Sequence, residues 1–287
     1  MFRKYMALLM IAGFFCVLAA CDNSRKTPMP ATELTSDQVV SAFSEFNNYA
    51  KNLQQAAGAT YRRVQEQLRQ TPENFSPTFD TAFVESVIAE LQSKAPITAW
   101  SWQDADGVIQ YSTMAQAVGQ RGEADDIVEV AYRNNAVYAS NNAVSRAEAS
   151  KALVIVIPVT YDGYVMGAFV GVVSPLTDLS ELMKPYIDLP RGLVLMNLQG
   201  GIIFSDNPEE IGYNYLTADI YKPFGDLLLS VNKMRSQESG VTRYYFYITP
   251  TRIKDWYDVQ WGTVQYFSHN WRLAFRTPAT METQAGY

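Results

Sequence analysis

Between residues 40 and 68 the apolar side chains of Val40, Phe43, Phe46, Ala50, Leu53, Ala57, Tyr61, Val64 and Leu68 recur every three or four positions. That spacing keeps them on one face of an α-helix. Thr35 followed by Gln38 has the form of a capping box at its start. Pro72 closes the run, because the residue before a proline avoids helical backbone. The spacing therefore predicts a single helix within 35–72, roughly 50 Å long at about 1.5 Å per residue. Such a helix is longer than one small domain and can lie along two of them.

The remainder of the chain reads as one pattern twice. A shorter helix is expected over about 77–93, with Phe83, Val87 and Leu91 on one face. Residues 97–103 alternate as a strand, Asp104 to Gly107 carry turn chemistry, and 108–113 return as the hairpin partner. A helix over 125–132 and a short strand over 137–140 follow. The most apolar stretch, 152–159, then turns through Tyr161-Asp162-Gly163-Tyr164 into a strand over 165–173, and a helix is expected over 176–186. In the second copy, strands 193–197 and 202–205 flank Gln199-Gly200-Gly201. A loop and helix occupy 208–234, and strands 241–248, 259–266 and 271–275 finish the unit. Hairpin, helical insert and long antiparallel strands, repeated, predict an α+β fold of two antiparallel-sheet modules, 73–188 and 189–278, with a tail over 279–287.

The start of the chain is of another kind. Arg3 and Lys4 precede an apolar run from Met6 to Val17 that exits through Leu18-Ala19-Ala20-Cys21. A positive start, a short apolar run and a small-residue exit form a secretory signal. The run is shorter than the roughly 20 residues that span a bilayer, which argues against a permanent membrane helix. Leu-Ala-Ala-Cys resembles the lipobox of bacterial lipoproteins, and an ordinary cleavage site needs no cysteine at that position. The resemblance implies that residues 1–20 are removed and that Cys21 is acylated and anchors the chain in membrane lipid. Two or more acyl chains hold a protein stably on a membrane. Residues 21–34, with Asn23, Ser24, Pro28 and Pro30 and no apolar period, form a tether. Asp22 resembles the signal that retains lipoproteins on the inner membrane, so the periplasmic face of that membrane is the expected location.

Loss of Arg3 and Lys4, in a segment that holds no acid, takes the formal charge from −6 to −8. This acidity disfavours a phosphate backbone, which needs clustered Lys and Arg, so no nucleic-acid partner is expected. Of the two cysteines, Cys16 leaves with the signal and Cys21 is acylated, and there is one histidine. Disulfides, the usual Cys and His metal sets, and a Cys-His pair are then out of reach. No metal, cofactor or catalytic residue is expected. Asp104 and Asp106 read as turn residues and not as paired catalytic acids, and Asp125-Asp126 as the start of a helix. Ser145, Ser150 and Ser205 have no base nearby in sequence, and His269 is placed in a turn. Trp256, Trp261 and Trp271 are expected to pack the second core.

Three stretches resemble the double Cache family of extracytoplasmic sensor modules, in which a long helix supports two PAS-like domains. They are Ile157-Pro158-Val159-Thr160-Tyr161-Asp162-Gly163 with Gly167-Ala168-Phe169-Val170-Gly171, then Leu195 to Ser205 with Ile211-Gly212, and Asn270-Trp271-Arg272-Leu273 ahead of Pro278. The resemblance spans about 36–278 and implies a membrane-distal first module and a membrane-proximal second one. Receptors of the family continue into a membrane helix after the closing strand, whereas nine residues follow here, so the expected partner is a separate membrane protein. Members that bind amino acids carry an Arg-x-Trp-Tyr cluster and an aspartate near the end of the glycine-spaced strand. Here Arg133 and Tyr138 are five apart and that strand ends Val172-Val173-Ser174.

In that family the ligand lies between the distal sheet and its helical insert, which points to Trp102, Tyr111, Tyr132, Arg133, Tyr138 and Ser140. Guanidinium can hold a carboxylate with two bonds, and ring faces can enclose an alkyl or cationic group. The plainer alternative is that the rings fill the core and Arg133 is a solvated cation at a helix end. The function expected is a ligand-binding sensor or accessory lipoprotein for a small polar solute. The rival readings are an assembly lipoprotein that uses the modules as protein-binding surfaces, and a solute-capture protein for a transporter. Changing Cys21 to Ser should leave the exported protein soluble or unprocessed. If the processed Cys21→Ser protein still fractionated with membranes, the anchor would have to lie elsewhere.

Overall fold

The computed structural model describes residues 37–70, 80–122, 125–187, 192–248 and 253–279. Helix α1 (Asp37–Gln70) has the predicted length and buries Ala42, Phe46, Ala50, Leu53, Ala57, Val64 and Leu68 along one face. That face begins at Val39 and not at Val40, which is 66% exposed. The expected helix signals Thr35 and Pro72, like the signal segment and tether, lie outside the described residues. Helix α2 (Thr81–Lys94) starts at Asp80, whose carboxylate accepts the Ala82 N–H at 3.0 Å and so satisfies one of the free donors of the first turn.

Two five-stranded antiparallel sheets follow. The first contains β1 (Ala99–Asp104), β2 (Ile109–Ser112), β3 (Tyr138–Ala139), β4 (Leu153–Tyr161) and β5 (Tyr164–Val173), in the order β2-β1-β5-β4-β3. The second contains β6 (Gly192–Asn197), β7 (Ile202–Ser205), β8 (Gly240–Ile248), β9 (Ile253–Tyr266) and β10 (His269–Pro278), in the order β7-β6-β10-β9-β8. Each strand of the second sheet takes the place of the strand five before it, so the repeat is one of topology. Helix α3 (Asp125–Asn134) is inserted in the first unit and α5 (Gly225–Ser236) in the second.

Three elements differ from expectation. The predicted helix over 176–186 is a π-helical turn (Pro175–Leu179), α4 (Ser180–Met183) and a 3-10 turn (Lys184–Tyr186). Asp178 bends the chain there by accepting the N–H groups of Ser174 at 2.7 Å and Thr98 at 3.0 Å, and Pro185 offers no N–H to continue a helix. Strand β9 begins six residues earlier than predicted. Its first half is charged, and it pairs through the Arg243–Asp258 bridge at 2.6 Å and the Tyr245–Trp256 ring contact instead of through apolar alternation. His269 opens β10 opposite Tyr266 and is not itself in the turn.

Strand alternation divides each sheet into an inner and an outer face. Leu153, Ile155, Ile157 and Val159 of β4, and Trp271, Leu273 and Phe275 of β10, point inward to α1 in one continuous core. Val154 and Val156 point outward to α3, and Ala274 outward to α5. The N-terminal half of α1 lies on the second sheet, where Phe43 meets Phe275 and Phe46 meets Trp271 at ring separations of 6.0 and 6.1 Å. Its C-terminal half reaches the first, where the Tyr61 hydroxyl donates to the Asn135 carbonyl at 2.5 Å. Trp261 packs the outer core of the second sheet as expected, Trp271 belongs to the inner core, and Trp256 is half-buried. Phe46→Ala should lower stability by about 3–5 kcal/mol, and Val40→Ala by less than about 0.5 kcal/mol. Equal losses in chemical unfolding would show that the buried face of α1 had been assigned wrongly.

Candidate ligand-binding site

The outer face of the first sheet is lined by alternate residues of its strands and covered by α3 and the loop from Ser140 to Ala152. The apolar part consists of Ile127, Val128 and Ala131 of α3 against Val154, Val156, Ala168 and Val170. The polar part begins on β1, where Trp100 and Trp102 face inward and the intervening Ser101 and Gln103 face outward, both buried. Two glycines of β5 make that arrangement possible. A side-chain carbon on Gly171 would lie 2.7 Å from the Trp100 ring, and one on Gly167 would lie 2.5 Å from the Trp102 ring. The glycine spacing of the return strand is therefore the imprint of two tryptophans lying across it.

The six residues singled out from the sequence do not form one constellation. Trp102 and its register partner Tyr111 lie on the inner face, with the Trp102 ring 4.8 Å from Phe169. Tyr132 and Tyr138 pack on the outer face. Burial, and then the charge of Asp104, keeps the Tyr132 hydroxyl protonated well above the ordinary phenol range. Ser140 is also buried there, and its hydroxyl accepts the Val154 N–H at 2.9 Å. Arg133 points to solvent, 68% exposed, and pairs with Glu129 one turn back at 2.6 Å.

A different arginine lies over the sheet. Arg146 and Glu148, two residues apart in the covering loop, form an ion pair at 3.2 Å with both side chains fully buried. The Ser101 hydroxyl donates to Glu148 at 3.1 Å. Gly122 packs against the same groups, since a side-chain carbon there would lie 2.6 Å from Gln103 Oε1 and 2.7 Å from Arg146 Nη1. Ser101, Gln103, Arg146 and Glu148 thus form a compact polar floor that sequence reading missed. The available signal was the Trp-Ser-Trp-Gln alternation of β1. Nothing in Ser145-Arg146-Ala147-Glu148 distinguishes a buried pair from a solvated loop. Gln103 Oε1 and Tyr132 Oη are both buried without a hydrogen-bond partner.

The covering loop also touches the second sheet. Asn197 Nδ2 donates to the Asn141 carbonyl at 2.7 Å and Trp271 Nε1 to Asn141 Oδ1 at 2.7 Å. The His269 ring is 2.8 Å from the Ala139 carbonyl and edge-on to Tyr138. The Lys151 ammonium donates to the Ile211 carbonyl.

One long helix carrying two five-stranded antiparallel sheets of matching strand order is the architecture of double Cache-like extracellular sensor domains. Among solved structures, the chain is similar to an extracellular ligand-binding receptor from Desulfohalobium retbaense (18% identity, TM-score 0.58), with 84% of this chain matched to 39% of that one. It is also similar to the ligand-binding domain of the Pseudomonas aeruginosa amino-acid chemoreceptor PctB in complex with L-Gln (11%, 0.54, 83% of this chain and 90% of that). A third is the periplasmic sensory domain of the Campylobacter jejuni chemoreceptor Tlp1 (15%, 0.54, 86% and 97%). The chain thus spans about two fifths of the Desulfohalobium receptor, and at these identities the likeness is one of fold. No protein-family model and no curated protein matches the sequence. Among the described residues no helix is long and apolar enough to cross a membrane.

Removing one partner of a buried ion pair typically costs about 3–5 kcal/mol, because the other charge is left uncompensated. Arg146→Ala should lose stability of that order, whereas Arg133→Ala should change it by less than about 0.5 kcal/mol, as exposed substitutions do. Equal effects in urea unfolding would overturn the contrast between the two arginines.

Proposed function

We propose that this chain is a lipid-anchored extracytoplasmic sensor or accessory lipoprotein that binds a small polar solute on the outer face of its first sheet and acts through a separate membrane protein. The observation that carries the proposal is the pair of unpartnered polar atoms there, Gln103 Oε1 and Tyr132 Oη. A buried polar group left unpaired costs about 1–3 kcal/mol, so a solute able to bond with them is favoured. The Arg146–Glu148 pair is charge-balanced, which suits a neutral or zwitterionic solute over a net ion. In this reading Tyr132, Tyr138 and Ser140 shape the site with Ser101 and Gln103, Arg133 is a rim group, and Trp102 and Tyr111 hold the sheet from behind.

The position of α1 supports the expected orientation. Its N-terminal half, which leads back to the tether and Cys21, lies on the second sheet. Residues 189–278 would then be membrane-proximal and 73–188 distal. The loop that covers the site also contacts β6 and β10, so a solute that moves Arg146 and Glu148 has a short route to the second sheet. One observation favours the assembly reading instead, namely that the same ion pair closes the site with the chain's own charges.

A melting-temperature screen of the lipid-free mature chain tests the proposal, with amino acids first, because PctB was solved with L-Gln, followed by carboxylates, amines, purines and sugars. A solute at about a hundredfold excess over its Kd stabilises by about 2.7 kcal/mol. Gln103→Leu should weaken that solute's binding about tenfold. Full affinity in Gln103→Leu would remove the site from the first sheet, and a screen without a single stabilising solute would favour the assembly reading.

A further inference from the structure

The outer face of the second sheet carries chemistry of a different kind. Tyr215, Tyr221, Phe224, Tyr244, Phe246 and Tyr257 pack there beside Trp261, together with α5 and the 3-10 turn Asp219–Tyr221 of the insert. Their rings form a chain of contacts: Tyr215 to Tyr221 at 4.7 Å, Tyr221 to Phe246 at 5.7 Å, and Phe246 to Phe224 at 4.9 Å. Tyr244 lies 6.5 Å from Phe246 and 5.8 Å from Tyr257.

Beneath the rings, Arg276 of β10 is flanked by two carboxylates. Its guanidinium donates to Asp206, to Glu210 at 3.4 Å and to the Ser205 hydroxyl at 3.3 Å. Burial alone would lower the Arg276 pKa, but Glu210 and Asp206 outweigh it and hold the group charged. Asp206 is committed further, because it also accepts the Leu193 N–H at 3.2 Å. Glu210 is the looser partner of the arginine and has the Ser205 hydroxyl at 2.7 Å on the same oxygen. Two acids thus stand against one arginine at this end of the face, the other buried arginine there, Arg272, being bonded to the Met234 and Gln237 carbonyls.

Tyr221 supplies the second, independent observation. Its side chain is fully buried, yet its hydroxyl has no hydrogen-bond partner. After burial itself, the charge that most raises its pKa is Glu210. A hydroxyl without a partner, a neighbouring carboxylate and surrounding ring faces attract the same kind of guest, a cation with N–H bonds to give. A metal ion is a poor match, since the described residues gather no three His, Cys, Asp or Glu side chains into a ligand set.

We propose that this aromatic enclosure is a second binding site, separate from that of the first sheet, which takes a small protonated amine whose N–H groups pair with Glu210 and the Tyr221 hydroxyl. The two outer faces then differ in chemistry, with a balanced ion pair and an amide on the first, and two carboxylates around Arg276 beside a cluster of aromatic rings on the second.

Calorimetric titration of the lipid-free mature chain with methylammonium, propylammonium and ethanolammonium chloride tests this, with potassium chloride at the same ionic strength as the control. At least one amine should bind saturably. Tetramethylammonium, which has the charge but no N–H, should bind less tightly. Glu210→Gln should weaken amine binding about tenfold or more, Tyr221→Phe should weaken it measurably, and Gln103→Leu on the first sheet should leave it unchanged. No amine binding above the salt control, or full affinity in Glu210→Gln, would overturn the proposal. Should Glu210→Gln fail to fold, Tyr221→Phe decides, because it removes only the unpaired hydroxyl and unchanged affinity would be contradictory. Loss of amine binding in Gln103→Leu would move the amine to the first sheet and equally overturn the assignment, while leaving the solute reading of that sheet intact.

Discussion

The apolar face of α1 is the surface on which both sheets depend. The apolar face of a sheet has to be covered, and here both inner faces are closed by the same helix, from Val39 and Phe46 over the second sheet to Val64 and Leu68 near the first. One continuous core follows from that, and so does a division of labour. The inner faces are mainly apolar and carry stability, with the Arg243–Asp258 bridge as their buried ion pair, whereas the outer faces, covered by short inserts, hold Arg146, Glu148, Glu210, Arg272 and Arg276.

That division explains why polar groups are tolerated at all. A buried charge is costly unless paired, and each outer face pairs an arginine with acids supplied by neighbouring loops, while Arg272 on the second is held by the Met234 and Gln237 carbonyls. The first face does so within two residues of one loop. The second draws Asp206 and Glu210 from the segment that follows β7. Because Asn141, in the first covering loop, is bonded to both Asn197 and Trp271, the two units are joined by a few hydrogen bonds as well as by the helix. Contacts of that kind rearrange more readily than a packed core, which makes the loop a natural path between a solute and the second sheet.

The fold was legible because its signals were periodic. The helical spacing gave α1 to within two residues of its described start, and hairpin turns such as Asp162-Gly163, both at positive φ, located the strands. The site was far less legible. Choosing aromatic and basic residues by type brought Trp102 and Tyr111 together with Tyr138, although period-two alternation sends the first two to the opposite face. Arg133 has the sequence features of an anchor but sits on the solvent side of α3, where a helix turn of about 100° per residue carries it away from Val128 and Ala131. Arg146 lies in a loop with no period, so its burial depends on Ser101, Gly122 and Glu148 folding around it. The surroundings of Tyr221 were not legible for a related reason, since they assemble from three separate segments.

The most direct test of this account is a high-resolution crystal structure of the mature protein purified from its native host, with attention to the space beside Gln103. The account predicts density for a small molecule or ordered water bonded to Gln103 Oε1, on the outer face of the first sheet. A floor in which Gln103 bonds only to protein and side chains fill the space completely would contradict it, and would mark the first sheet as a surface for a protein partner.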